Sequence, residues 1–390
     1  MHNRDAPADS LLYWGQHPYG KVGITKMKTT KISPFFHDRP LFGLDIGHGS
    51  LKVMQIEAPA AKSAAKAHRP RLIGYGFTTF DKTAQENGVV VQPEIIAKAA
   101  HQLFKQQLIG DITTRRTAMA IPAYRTFTRS LSLPKLKPAE LKDAVELEAE
   151  QYISLPLEEL YLDYQIVRQT ADTLEVFLVA VPRKIVDSYL DLAQIMGLEV
   201  VLIEPTLSSS GRLFTADTQS DVASIIIDFG SESSDISIFD KYVLVAGTVQ
   251  GGGESFTASI KDKLGVSLQE AGLIKTRYGL GVSKQQAAIK QTLEPTLVEI
   301  VKEIRRMIRY YEERYGTGRP IGQIIALGGG ANMPGLSEYL TEALRLAVRH
   351  SDPWQYVDRH NLQLPVAADK PMYATVAGLS LTSPKEIFSV

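Results

Sequence analysis

The stretch LFGLDIGHGSLKVMQIE, Leu41 to Glu57, decides how the rest of the chain is read. An apolar run ends in a carboxylate, Asp45, turns through Gly47, Gly49 and Ser50, and leads into a second apolar run that carries Lys52. That pattern predicts two strands joined by a tight turn. The same D-x-G-x-x-S pattern returns at Asp228, Gly230 and Ser233 in ASIIIDFGSESSDISIF, again between apolar runs. One D-x-G turn is ordinary hairpin chemistry. Two copies in the same context, one in each half, point to duplicated lobes facing a shared ligand. A glycine turn lets the backbone approach an anion with its N–H groups, and serine adds a hydroxyl donor. An aspartate beside the turn would repel bare phosphate, so the pattern fits phosphates carried with Mg²⁺, which keeps most of its water and prefers oxygen ligands. Lys52 adds compensating positive charge.

A third glycine cluster, Gly328 to Gly330 in IIALGGGANMPGLSEYL, joins an apolar strand to a helix whose first turn contains Pro334. This geometry presents free N–H groups to an anion or sugar. Neither the Walker A loop nor the Rossmann fingerprint is present, so three glycine turns in this order favour a different nucleotide-binding fold.

Composition narrows the classes. A chain of 390 residues exceeds the size at which one core usually keeps growing, so two lobes or several subdomains are expected. Lysine plus arginine balance aspartate plus glutamate, 43 against 43, which points to neither nucleic acid nor an anionic membrane. The absence of cysteine excludes disulfides, thiolate metal sites and thiol nucleophiles. The eight histidines show no HExxH spacing. No apolar run approaches the roughly 20 residues that span a bilayer, and the N-terminus lacks the apolar core of a signal peptide, so a cytoplasmic protein is expected. Residues 1–40 lack a sustained period and read as a flexible extension, within which MKTTKISPFF from Met27 looks like a natural chain start.

From Leu41 onward strands and helices alternate in an α/β pattern with antiparallel elements. PAELKDAVELEAEQYI reads as a helix with Leu141, Val145, Ala149 and Tyr152 on one face. EPTLVEIVKEIRRMIRYYEERYG reads as another, with a core stripe at Leu297, Ile300, Ile304, Ile308 and Tyr311.

In order, LDIGHGSLKV, VVLIEPTLSSS, IIIDFGSESSDISI and IIALGGGANMPGL resemble the first phosphate motif, the connecting motif, the second phosphate motif and the adenosine motif of the actin-like ATPase superfamily. Within it, VELEAEQYISLPLEELYLDYQIV followed by LEVFLVAVPRKIVDSYLDLAQIMGLEVVLIEP resembles the PilM family of type IV pilus assembly proteins. The resemblance implies an actin-like, ribonuclease H-like fold of two lobes with a small inserted α+β subdomain. The expected domains are 41–122 and 172–220 for lobe I, 123–171 for the insertion, 221–350 for lobe II and 351–390 for a return to lobe I.

The same resemblance implies the site. Asp45 and Asp228 would hold Mg²⁺ through water, and Gly47, Gly49, Ser50 and Lys52 would meet the phosphates of ATP from one lobe. Gly230, Ser231 and Ser233 would face the terminal phosphate from the other. Gly252 and Gly253 would open the following helix, and Gly328, Gly329 and Gly330 would lie near the sugar and α-phosphate. Glu204 matches a position where a glutamate orients the attacking water; it reads equally as a strand-end glutamate before a turn proline. Glu270 and Lys275 stand as ribose or adenine contacts, or as a solvated helix face. His48 replaces the small residue more usual in the first loop. The implied partner is the cytoplasmic tail of an inner-membrane PilN-like protein, bound in a nucleotide-dependent way with Tyr152, Leu155 and Leu157 as anchors, so that the membrane is met only indirectly. Self-association stands beside that partner; the scaffold reading comes first, an FtsA-like division filament second and a small-molecule kinase third. Against the second, SPKEIFSV is no basic amphipathic helix; for the third, no substrate-pocket signature is present.

Overall fold

The computed structural model describes residues 40–57, 69–215 and 222–383. The expected extension, apart from Pro40, and residues 384–390 of the last segment lie outside the described residues.

Strands Phe42–Gly47 and Ser50–Glu57 pair antiparallel with Gly47 opposite Ser50, leaving His48 and Gly49 as the turn. Gly49 has φ +84, a left-handed conformation that glycine adopts at little cost. This hairpin sits within a six-stranded sheet in the order Glu199–Pro205, Arg116–Ile121, Phe42–Gly47, Ser50–Glu57, Arg71–Thr79, Leu108–Gly110. The first three strands are parallel and the remaining pairings antiparallel. The second half repeats the plan in five strands ordered Tyr242–Gln250, Ser233–Asp240, Ala223–Phe229, Ile321–Leu327, Ala347–His350. Here too an antiparallel meander is followed by two parallel strands. Ile225, Ile226 and Ile227 are all buried, because a central strand covered on both faces needs an unbroken apolar run. Two lobes thus carry one topology, and each D-x-G turn lies at the end of its lobe's first strand.

The inserted subdomain is a three-stranded antiparallel sheet with a helix, Pro138–Tyr152, whose Leu141, Val145 and Ala149 pack into a separate core with Leu131, Val176 and Leu178. Its strands are ordered Phe127–Pro134, Thr173–Pro182, Leu160–Gln169. The expected boundary between 171 and 172 therefore falls inside this sheet. LEVFLVAVP is its middle strand, hydrogen-bonded on both sides, and the unit runs to Pro182. The subdomain is also tied to the second lobe. The Ser130 hydroxyl donates to the Leu244 carbonyl, and Arg314 donates to one Glu175 oxygen at 2.5 and 3.0 Å.

The long helix runs Gln286–Tyr315, beginning well before the expected start, with Pro295 inside it. Proline costs one backbone hydrogen bond there. Leu293 on the N-terminal side of Pro295 and Leu297 on the other are both buried, so the apolar stripe continues across the proline. The final helix, Ala374–Ser380, is buried throughout and packs on the first strand and on helix Thr206–Thr215. A β-carbon on Gly378 would lie 1.8 Å from the Ser209 carbonyl oxygen, so the two helices meet backbone to backbone.

Candidate functional site

The antiparallel register makes Asp45 and Lys52 cross-strand partners, and the Lys52 ammonium donates to Asp45 Oδ2 at 2.9 Å. Both are buried, and Lys52 also lies 3.5 Å from the Ser50 hydroxyl. In the second lobe the equivalent register sets Asp228 opposite Asp235. Here two carboxylates face each other where the first lobe has a carboxylate and an ammonium. Burial, then the negative charges of Asp235 and Asp45, push the Asp228 carboxyl up to about 7, with Lys52 opposing them. Burial pushes Asp235 up to about 6, although Thr248 Oγ donates to it at 2.6 Å and Ser233 Oγ at 3.3 Å. Asp45, Lys52, Asp228 and Asp235 thus form one electrostatic cluster spanning the lobes.

The glycine segments close around it. Gly328, with φ +82, lies so near Asp228 that a β-carbon there would sit 2.2 Å from its Oδ1. The Gly330 N–H donates to the Phe229 carbonyl at 2.9 Å, whereas Gly329 faces open space. Helix Gly253–Leu264 starts on the second turn, with Gly253 N–H on the Gly230 carbonyl and Glu254 N–H on the Ser231 carbonyl, both at 2.9 Å. A side chain at Gly252 would collide with that turn.

Across the cleft, His48 of the first turn lies 3.5 Å from Glu232 and 3.7 Å from Glu254. Lys82, whose stem lies over Gly49, pairs with Glu254, and the Tyr124 hydroxyl donates to Glu232 at 2.5 Å. Ser231 donates to Glu254 at 2.9 Å. Burial alone would raise the Glu254 carboxyl, but the donors Lys82 and Ser231 and the charges of Lys82 and His48 hold it below its usual range.

Three further residues were singled out from sequence. Glu204 is buried, and both of its oxygens accept from the Arg212 guanidinium at 2.5 and 2.7 Å. Arg212 also donates to the Gly378 carbonyl at 3.2 Å. Lys275 reaches the cluster through backbone, donating to the Gly253 carbonyl at 2.6 Å, and burial lowers its ammonium pKa. Glu270 is not brought there: its carboxylate accepts from the Ser267 N–H and hydroxyl at 3.0 and 2.9 Å, closing the cap of its own helix.

Sequence reasoning missed Asp235, Thr248, Glu232, Glu254, Lys82 and Tyr124. A signal existed for the first. Lys52 follows Asp45 by seven residues and Asp235 follows Asp228 by seven, so the duplicated hairpin marks both as cross-strand neighbours.

A pocket of about 330 Å³ lies between the subdomain and the second lobe. Phe127, Arg129, Tyr152 and Ile153 line it from the subdomain, Ala246 to Thr248 from the second lobe, with Tyr124 at the junction. Tyr152 is half exposed, and the Arg129 guanidinium stacks on its ring 3.1 Å from the centroid. Leu155 and Leu157 instead pack against the subdomain's own core.

Two lobes of one topology with glycine turns converging on carboxylates define an actin-like protein. Residues 43–384 match the family model described as type IV pilus assembly protein PilM, and the chain belongs to that family. Among solved structures it is similar to a chain of a PilM-PilN type IV pilus biogenesis complex, with 22% identity, a TM-score of 0.73, and 87% of this chain and 97% of that one covered. Ethanolamine utilization protein EutJ from Carboxydothermus hydrogenoformans gives 14% identity, a TM-score of 0.49 and coverage of 89% and 90%. MreB 5 of Spiroplasma citri bound to AMPPNP gives 12%, 0.47, and 88% and 95%. Among the described residues no helix is long and apolar enough to cross a membrane.

Proposed function

We propose that this chain is an ATP-binding scaffold of the type IV pilus machinery that holds the cytoplasmic tail of a PilN-like inner-membrane protein and responds to nucleotide. The observation that carries the nucleotide site is the carboxylate cluster. Asp228 and Asp235 face each other with Asp45 nearby, and burial, with the crowding of negative charge added to it, lifts the Asp228 carboxyl to about 7. A divalent cation relieves that crowding. Among the described residues no three His, Cys, Asp or Glu side chains stand close enough to ligate an ion directly. The fit is to hydrated Mg²⁺, held by Asp45 and Asp228 through its waters. Mg²⁺ would supply charge neutralisation for the phosphates. Gly47, Gly49, Ser50, Lys52, Gly230, Ser231, Ser233 and the open face at Gly329 would supply donors and space. Gly252, Gly253, Gly328 and Gly330 would set the backbone around them, and Lys275 would brace Gly253.

Glu204 takes an architectural role in this reading, since Arg212 occupies both of its oxygens. Glu270 caps its helix. The test is calorimetric titration of ATP with Mg²⁺ and with EDTA: binding that needs Mg²⁺ supports the site, and no binding in either overturns it.

The tail is assigned to the pocket beside Tyr152. The likeness to a chain solved as a PilM-PilN complex supports a partner of that kind, and the pocket combines apolar walls with a cation-capped aromatic ring. Binding there would place the protein on the cytoplasmic face of the inner membrane through its partner. Tyr152→Ala is expected to weaken a synthetic tail peptide by about 30-fold, the effect of losing one aromatic anchor, with ATP affinity unchanged. An unchanged peptide affinity in fluorescence anisotropy would exclude the pocket.

A further inference from the structure

Two residues that line the pocket also hold the carboxylates of the second turn. Tyr124 lies in the turn Ala123–Arg125 at the entry to the subdomain and donates its hydroxyl to Glu232 at 2.5 Å. Thr248 lies in strand Tyr242–Gln250, directly across from Asp235, and donates to it at 2.6 Å. Asp228, Asp235 and Thr248 therefore occupy one rung across three neighbouring strands, running from the cleft to the pocket wall.

We propose that Tyr124 and Thr248 are positioning residues that couple occupancy of the cleft to the shape of the pocket. This rests on the reading above, with Mg²⁺ and nucleotide in the cleft and the tail peptide in the pocket. Glu232 stands at the second turn, so phosphates bound there would repel its carboxylate and alter its hydrogen bond to the Tyr124 hydroxyl. A cation beside Asp228 would attract the facing Asp235 carboxylate and so shift the acceptor to which the Thr248 hydroxyl donates. Each event acts on a residue that lines the pocket. A ligand regulates another site only through such a difference between two states, and the effect is reciprocal.

The experiment measures the affinity of a fluorescein-labelled tail peptide for the full chain, with and without Mg²⁺-ATP, in wild type, Tyr124→Phe and Thr248→Val. Both substitutions keep the shape of the wall and delete the hydroxyl. The quantity read is the ratio of the two affinities, which a merely structural role would leave alone. In the wild type nucleotide should tighten the peptide by a factor within about 5- to 150-fold. In each variant the ratio should fall toward unity, while Thr248→Ser, which restores a hydroxyl, should keep it. With saturating peptide, ATP affinity should rise by the same factor as the peptide's. Variants that retain the wild-type ratio, or a wild type that binds peptide equally with and without nucleotide, overturn the coupling and leave the pocket assignment standing. A wild type that binds ATP and no peptide overturns the pocket assignment itself.

Discussion

Asp228→Asn is expected to weaken Mg²⁺-ATP binding by about 10- to 100-fold, the scale of a lost hydrogen bond to a charged group, and also to make the nucleotide-free protein more stable at pH 8. The two effects share one cause. Burial and the facing carboxylates raise the Asp228 carboxyl from 3.8 to about 7, so the folded chain holds that proton more tightly than the unfolded chain does. Between those values the native state binds more protons, and stability falls as pH rises. The contribution is fully present below about pH 4 and is lost as pH passes about 7. Asparagine cannot ionise, so the variant should escape that loss, by up to about 4 kcal/mol at pH 8. Asp235, raised to about 6, acts with the same sign over a narrower window and should leave a smaller slope in the variant. Thermal midpoints at pH 5 and pH 8 without nucleotide, set beside calorimetric ATP titrations, check both halves. Equal ATP affinity in variant and wild type would remove Asp228 from the site. An identical pH profile would show that its carboxyl is not crowded.

Glu204→Ala should destabilise the fold by about 3 kcal/mol, because removing one member of a buried ion pair leaves the other charge uncompensated. Glu204 ends the connecting strand Glu199–Pro205, and its partner Arg212 lies on the following helix and also reaches the carbonyl of Gly378. One guanidinium thus joins a strand and two crossing helices. Urea unfolding monitored by circular dichroism should show the loss, and Glu204→Gln, which keeps one acceptor, should fall between alanine and wild type. A Gln variant of wild-type stability that has lost ATP turnover would instead make Glu204 the group that orients water.

The hairpin at Asp45 and its echo at Asp228 were legible because each feature is local. A short apolar run bounded by turn residues gives a strand, glycine in a short turn reverses it, and the repeated spacing marks the duplication. The glycines of the third cluster were legible for the same reason, but the helix after them starts at Leu336, so Pro334 precedes it rather than lying in its first turn. The extent of the subdomain was not legible. LEVFLVAVP reads as a strand wherever it lies, and only pairing with Phe127–Pro134 on one side and Leu160–Gln169 on the other assigns it to the inserted sheet. Nor was the long helix's start, because Pro295 ordinarily ends a helix and only packing of Leu293 and Leu297 carries the stripe across it.

The sequence by itself determined the α/β class, the two equivalent strand-turn-strand units and the carboxylates at their turns, since strand period and turn chemistry are written in neighbouring residues. Only the tertiary structure decided which distant charges meet. Asp45 and Lys52, like Asp228 and Asp235, meet within one hairpin, but the fold alone brings His48 and Lys82 to Glu254 across residues far apart in order. It also turned Glu204 toward Arg212, whereas the cap that holds Glu270 is a local Ser-x-x-Glu feature of its own helix start. A carboxylate's role is set by the charges and donors around it, and those are contributed by strands and helices that neighbour it only after the two sheets have formed and closed on each other.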